Sequence, residues 1–271
     1  MVKGLIYLNA DLASSIALRY VCQLANMKGI LVDSIHVEET TQDMHTPGTG
    51  WVRKTWEKGV KENAGHKILQ LVNAEKRSCI HLSDPVIMVG DHETEVKSTL
   101  GLKTYDFFVE GILQSFSPLK FKEKIFSKLY KNISCPVLLV KNFIEIKKVA
   151  IIIDQKENTR SLTDPLKKII KDTGLVCDLV KCELNSESVV KVEEMTGGQD
   201  DNLDYSKTFI KKEAEIDIMK NIKIQGDPVA AADFLHDYGL VVIPVDKAMS
   251  KHSHVIDMMN QVASALLICW V

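Results

Sequence analysis

The sequence predicts an α/β protein made of two tandem doubly wound domains, each with a five-stranded parallel sheet. Three observations predict it. Apolar strands alternate with amphipathic helices along the chain. The same order of elements is written twice at a fixed distance. The strands are near-continuous apolar runs, as strands buried on both faces are.

Residues 4–8 read as a buried strand that ends in the polar group Asn9-Ala10-Asp11. A helix follows, with Ile16, Leu18, Val21, Cys22 and Leu24 at helical spacing. Gly29 closes it as a C-cap, and residues 30–37 form the second strand. The second copy opens with an apolar strand over 149–153 that ends at Asp154. A helix over 158–171 runs through Leu162, Leu166, Ile169 and Ile170, with Pro165 inside it. Gly174 stops that helix, and residues 175–182 form the next strand. Asn9 and Asp154 lie 145 residues apart, as do Gly29 and Gly174. A gapless offset across strand, helix and strand marks a duplication.

The later elements also pair. Helical segments over 51–62 and 66–76 in the first half correspond to one over 200–219 in the second. A strand over 86–89 meets Gly90-Asp91, and one over 222–225 meets Gly226-Asp227. Each Asp is a helix N-cap by position. Residues 107–109 before Gly111 match 240–243 before Pro244. Each half ends in an apolar strand, over 136–140 and 266–271. The domains are therefore placed at 1–143 and 147–271. The join over 142–147 lacks Pro/Gly/Ser character, so tight packing is expected.

Composition narrows the function classes. Of 271 residues, 45% are hydrophobic and 26% charged, which excludes a disordered chain. The net charge of -2 gives no bulk attraction to nucleic acid or to an anionic membrane. No apolar run reaches the roughly 20 residues of a membrane helix. Met1-Val-Lys-Gly4 leads into a short apolar run that does not read as a signal peptide. Six cysteines show no CxxC pair, and most sit in apolar runs. They are expected as reduced core residues of a cytoplasmic protein.

These residues resemble the universal stress protein family in its tandem form. The carriers are residues 5–25 and 149–171, the Gly-Asp pairs, Tyr105-Asp-Phe-Phe-Val109, and Ser134-Cys-Pro-Val-Leu-Leu-Val140. The last is similar to the family's final strand. The resemblance covers nearly the whole chain, twice. It implies the universal stress protein-like, adenine nucleotide alpha hydrolase-like fold. It also implies that residues 137–140 and 266–271 meet at an internal seam, making a pseudo-dimer within one chain. A homodimer of whole chains is compatible with it.

In an open α/β sheet, ligands bind beyond the carboxyl ends of the strands at the switch point. The crevice candidates are Asn9, Asp11, His36, Val37, Gly90, Gly111 and Gln114 in the first half. In the second half they are Asp154, Lys156, Gly226 and Pro244. The resemblance implies an acidic residue after strand one and G-x2-G-x9-G-S/T after strand four in members that bind nucleotide. Glycines there let backbone N–H groups approach phosphates. Here Asn9 stands at the acidic position, Gly111 matches the first glycine, and Gln114 replaces the second. The second half keeps Asp154 but has Pro244 where the loop begins, and no glycine over 246–254. ATP or AMP is therefore not expected as a cofactor, and no enzymatic activity is expected. The reading is a non-enzymatic stress-response protein with degenerate nucleotide sites, acting on a small ligand or a protein partner. The alternative is an ATP- or AMP-binding protein with an unconventional phosphate loop and weak hydrolysis.

The remaining motifs read as structure. Gly48-Thr-Gly50 starts a helix in which Trp51 and Trp56 are packing residues. His36 is expected at an exposed strand end. His252 and His254 fall in a loop or helix start, and neither they nor His92 with Glu93 and Glu95 show metal-ligand spacing. Residues 120–131 form an amphipathic helix with a solvated basic face, and residues 196–202 a flexible polar loop. No GxSxG, Walker A or GxGxxG occurs.

Overall fold

A computed structural model describes residues 1–39, 50–76, 79, 81–113, 117–153, 158–186 and 191–271. In chain order the first half comprises β1 (Lys3–Tyr7), α1 (Leu12–Lys28), β2 (Leu31–Glu38), α2 (Trp51–Lys76) and β3 (Val86–Val89). It continues with α3 (His92–Leu102), β4 (Phe107–Gly111), α4 (Pro118–Ile125), α5 (Lys128–Asn132) and β5 (Val137–Val140). The second half has β6 (Lys148–Ile153), α6 (Thr159–Ile169), β7 (Val176–Leu184), β8 (Lys191–Met195), α7 (Asp201–Glu213) and β9 (Ile218–Gly226). It ends with α8 (Pro228–Phe234), β10 (Leu240–Val245), α9 (His254–Gln261) and β11 (Ala265–Trp270).

The eleven strands among the described residues belong to one sheet, in the order β3-β2-β1-β4-β5-β11-β10-β6-β7-β9-β8. The first five are mutually parallel. So are β11, β10, β6, β7 and β9. The two sets meet antiparallel at β5 and β11, with Leu139 opposite Leu266 and Val137 opposite Ile268. The expected seam between the last strands is therefore present. Val137, Leu139, Leu266 and Ile268 are fully buried there, so the seam is continuous with the core. Each such side chain contributes roughly 1.5–3 kcal/mol by leaving water.

Two apolar layers sandwich the sheet. Helices α1, α2, α6 and α7 pack on one face, through Leu18, Ile68, Leu166 and Ile210 among others. Helices α3, α4, α5, α8 and α9 pack on the other, through Val96, Phe121, Leu129, Ala231 and Ile256. Successive β1 residues alternate between layers, with Ile6 in the first and Leu5 and Tyr7 in the second. Helix starts are fixed by side-chain caps: Asp11 for α1, Asp91 for α3 and Asp227 for α8. Gly29 ends α1 in the left-handed region at φ 69°, where a side chain would be strained.

The structure corrects several expectations. Among the described residues the second half has six strands, because β8 adds an antiparallel edge outside β9. Residues 51–76 are one continuous helix rather than two segments. Residues 120–131 are divided between α4 and α5. Residues 218–219 belong to β9, and residues 201–202 already lie in α7, capped by Asp200. Cys22 and Cys79 are joined in a disulfide rather than reduced. Trp51 is 76% exposed and so is no packing residue. Among the described residues, no helix is long and apolar enough to cross a membrane.

Candidate functional site

The sheet's first switch point lies between β1 and β4, whose outer neighbours run in opposite directions along the strand order. A crevice with two lobes opens beyond the carboxyl ends of β1, β2 and β4. One lobe, of about 390 Å³, lies between the β1 and β2 ends and α2. The other, of about 400 Å³, lies between the same strand ends, His92, Glu110 and Lys124. Asn9, His36, Glu38 and Glu39 line both.

The residues at the crevice floor hold one another. His36 is 6% exposed, with Nδ1 2.7 Å from the Leu8 carbonyl and Nε2 3.0 Å from Glu38 Oε2. It is a buried crevice residue, not the exposed strand end expected. Tyr7 donates its hydroxyl to Asn9 Oδ1 at 2.9 Å, and the Asn9 amide donates to Ser14 Oγ at 2.7 Å. Asp11 lines the first lobe, and its Oδ1 accepts the Ser14 amide at 2.8 Å as the α1 cap. In the second lobe, Glu110 is 6% exposed and accepts from Lys124 Nζ at 2.5 Å and from Tyr130 at 2.7 Å. The Tyr7 and His92 rings lie 4.2 Å apart. Burial lowers the His92 pKa, and its buried Nε2 has no hydrogen-bond partner among the described residues. Burial also raises the Tyr7 and Tyr130 hydroxyls.

Of the residues predicted for this crevice, the structure gathers Asn9, Asp11, His36 and Val37. Gly90 ends β3 outside the lining, where its amide donates to the Glu38 carbonyl at 3.1 Å. Gly111 has a packing role: a Cβ there would stand 2.2 Å from the Ala13 carbonyl oxygen. Its missing side chain lets the first turn of α1 close on β4. Gln114, Asp154 and Lys156 lie outside the described residues, as do Gly48 and Thr49. Gly226 ends β9, and Pro244 is buried inside β10 opposite Cys269.

In the second half, Lys181 and Glu183 stand 145 residues after His36 and Glu38. They belong to an ion-pair cluster in which Lys181 reaches Asp200 at 2.6 Å and Lys223 reaches Glu183 at 3.0 Å.

Sequence reasoning missed Glu38, Glu39, Trp56, Lys67, His92 and Lys124 as lining residues. A signal existed for some of them. His36 and Glu38 are polar residues two apart at the carboxyl end of their strand, so they share a face. Trp56, Val60, Asn63 and Lys67 recur at helical spacing on one side of α2. Among the described residues, no three His, Cys, Asp or Glu side chains form a group that could hold a metal ion.

A doubly wound domain written twice, with a crevice at its first switch point, is the class of protein that this geometry defines. Two solved structures share this fold over 99% of the chain. A universal stress protein from Archaeoglobus fulgidus DSM 4304 is 14% identical, with a TM-score of 0.66, covering 99% of this chain and 96% of that one. A protein assigned to the universal stress proteins, from Pseudomonas aeruginosa UCBPP-PA14, is 12% identical, with a TM-score of 0.61, covering 99% and 92%. The chain therefore has the fold of these universal stress proteins. No family model matches the sequence, and no curated protein does.

Proposed function

We propose that the chain is a tandem universal stress protein that works without catalysis, by holding a small polar, non-polyphosphate ligand in its first-half crevice. The observation that carries this reading is the lining of that crevice. Asp11, Glu38, Glu39 and Glu110 place four carboxylates around it, against Lys67 and Lys124. Lys124 is already held by Glu110. A polyphosphate would meet repulsion there instead of a backbone cradle. The N-terminus of α4 is also occupied, since Ser117 Oγ accepts the Lys120 amide at 3.3 Å. A neutral or cationic ligand with hydrogen-bonding groups suits Asn9, Asn63 and the carboxylates.

A cytoplasmic place of work belongs to this proposal. The thiols of Cys135, Cys177 and Cys269 support it and the Cys22–Cys79 bond speaks against it.

Calorimetry with ATP and AMP, with and without magnesium, tests the reading, together with native mass spectrometry of the purified chain. The expected result is no saturable nucleotide binding and a retained non-nucleotide mass that Glu38→Gln weakens. Micromolar ATP binding, or hydrolysis above background, would overturn it.

A further inference from the structure

The two ends of the sheet differ. In the second half the outer strand β9 is covered by antiparallel β8, from Lys191 opposite Gln225 to Met195 opposite Asn221. In the first half the outer strand is β3, and no strand among the described residues lies beside it. The internal repeat makes the two edges comparable. Val86–Val89 before Gly90-Asp91 is the counterpart of residues 222–225 before Gly226-Asp227. Residues 222–225 are among those that β8 covers.

The β3 edge offers main-chain groups. The Gly90 amide donates to the Glu38 carbonyl, toward β2. Main-chain groups alternate along a strand, so Val86 and Met88 also turn toward β2. Ile87 and Val89 consequently turn their N–H and C=O groups outward. Val86 is 54% exposed. Beside this edge lies an open groove of about 660 Å³, lined by α2 residues including Gly65, His66 and Leu69, and by Ile87.

The groove's charge selects an occupant. Arg53 holds Glu57 at 2.9 Å, and Lys58 holds Glu62 at 3.7 Å. Lys54 and Lys61, on the same wall, make no ion pair among the described residues, which leaves the wall cationic. The strand that covers the matching edge in the second half carries Val192, Glu193, Glu194 and Met195, and Lys220 holds Glu194 at 2.7 Å. A second copy docking through its own β3 would instead bring its own lysines toward Lys54 and Lys61.

We propose that the β3 edge and the α2 groove form a docking site for an extended acidic segment of a partner protein. That segment adds as an antiparallel strand beside β3, as β8 does beside β9. The proposal is independent of the crevice ligand.

Amide hydrogen exchange on the full chain tests it, with a capped peptide of the sequence of residues 191–197 as the probe. The Ile87 and Val89 amides are expected to exchange fast in the free chain at every protein concentration. Saturating peptide is expected to slow them. Val89→Pro removes an outward donor while leaving the β2 ladder intact, and should weaken the peptide by roughly tenfold. The surface double variant Lys54→Glu with Lys61→Glu, which touches no core residue, should weaken it by about the same factor. The proposal fails if those amides are already slow in the free chain, or slow only as protein concentration rises. It also fails if the peptide protects only β9, or if neither variant weakens it.

Discussion

Lys141 reaches across the seam to Val262. Its Nζ donates to the Val262 carbonyl at 2.9 Å, to the Asn260 carbonyl at 3.0 Å, and to the Met259 carbonyl. These are acceptors that the end of α9 leaves without helical partners. Lys141 is 3% exposed, with the Phe121 ring 4.6 Å from its nitrogen. The first residue after β5 thus caps a helix of the other half.

Burial pushes the Lys141 pKa from 10.5 down to about 7. Between those values the unfolded chain carries a proton that the folded chain does not, so this group adds stability as pH rises. Lys141→Met removes the donor and the titration together. It should lose roughly 2–3 kcal/mol at neutral pH through unsatisfied carbonyls. The stability difference from the parent should widen from about pH 7 toward pH 9, measured by urea unfolding across that range.

Gly111→Ala tests the close approach of β4 and α1. The added methyl would meet a main-chain oxygen of Ala13, which has no rotamer to change. A loss of about 3 kcal/mol is expected from chemical denaturation. Because α1 starts at Leu12, beside Asn9 and Asp11, the crevice should also bind its ligand less tightly.

The Cys22–Cys79 bond closes a loop with a sequence separation of 57. Chain-entropy arguments assign such a loop roughly 4 kcal/mol. The double variant Cys22→Ala with Cys79→Ala should lose most of that, and reductant should then have no further effect on unfolding. Alkylation without reductant, read by mass spectrometry after unfolding, should label Cys135, Cys177, Cys182 and Cys269 only.

Asp33 gives an acid-side prediction. Burial raises its pKa, but hydrogen bonds from Tyr105, Lys3 and Lys103 outweigh that and hold it below 3.8. Its stabilisation is complete above the unfolded value and fades as pH falls through the lower folded one. Asp33→Asn should therefore destabilise the chain at pH 7, and the difference should shrink as pH drops below about 4. Thermal unfolding at pH 7 and pH 3 measures both.

Much of the fold was legible because its strands are buried on both faces. Val149, Ile151 and Ile153 announce β6 by apolar continuity alone, and the offset between Gly29 and Gly174 announces the duplication. β8 was hidden by the opposite property. Lys191, Glu193 and Glu194 face solvent on an edge, so no apolar alternation marks them. The disulfide was hidden because cysteines 57 positions apart form no local motif. The crevice was half legible: strand ends placed Asn9 and His36, whereas Lys124 arrives from a helix beyond β4. The role of Lys141 depends on a helix end 118 or more positions away, which no local pattern encodes.

The antiparallel seam also sets how the two halves can communicate. Apart from the edge strand β8, strands run parallel within each half, and the two sets oppose each other at β5 and β11. The carboxyl ends of the two strand sets therefore point to opposite rims of the sheet. Occupants at the two rims cannot touch or share a lining residue. The Lys141 tether, from the end of β5 to the end of α9, is a direct contact by which a displacement in one half would be felt in the other.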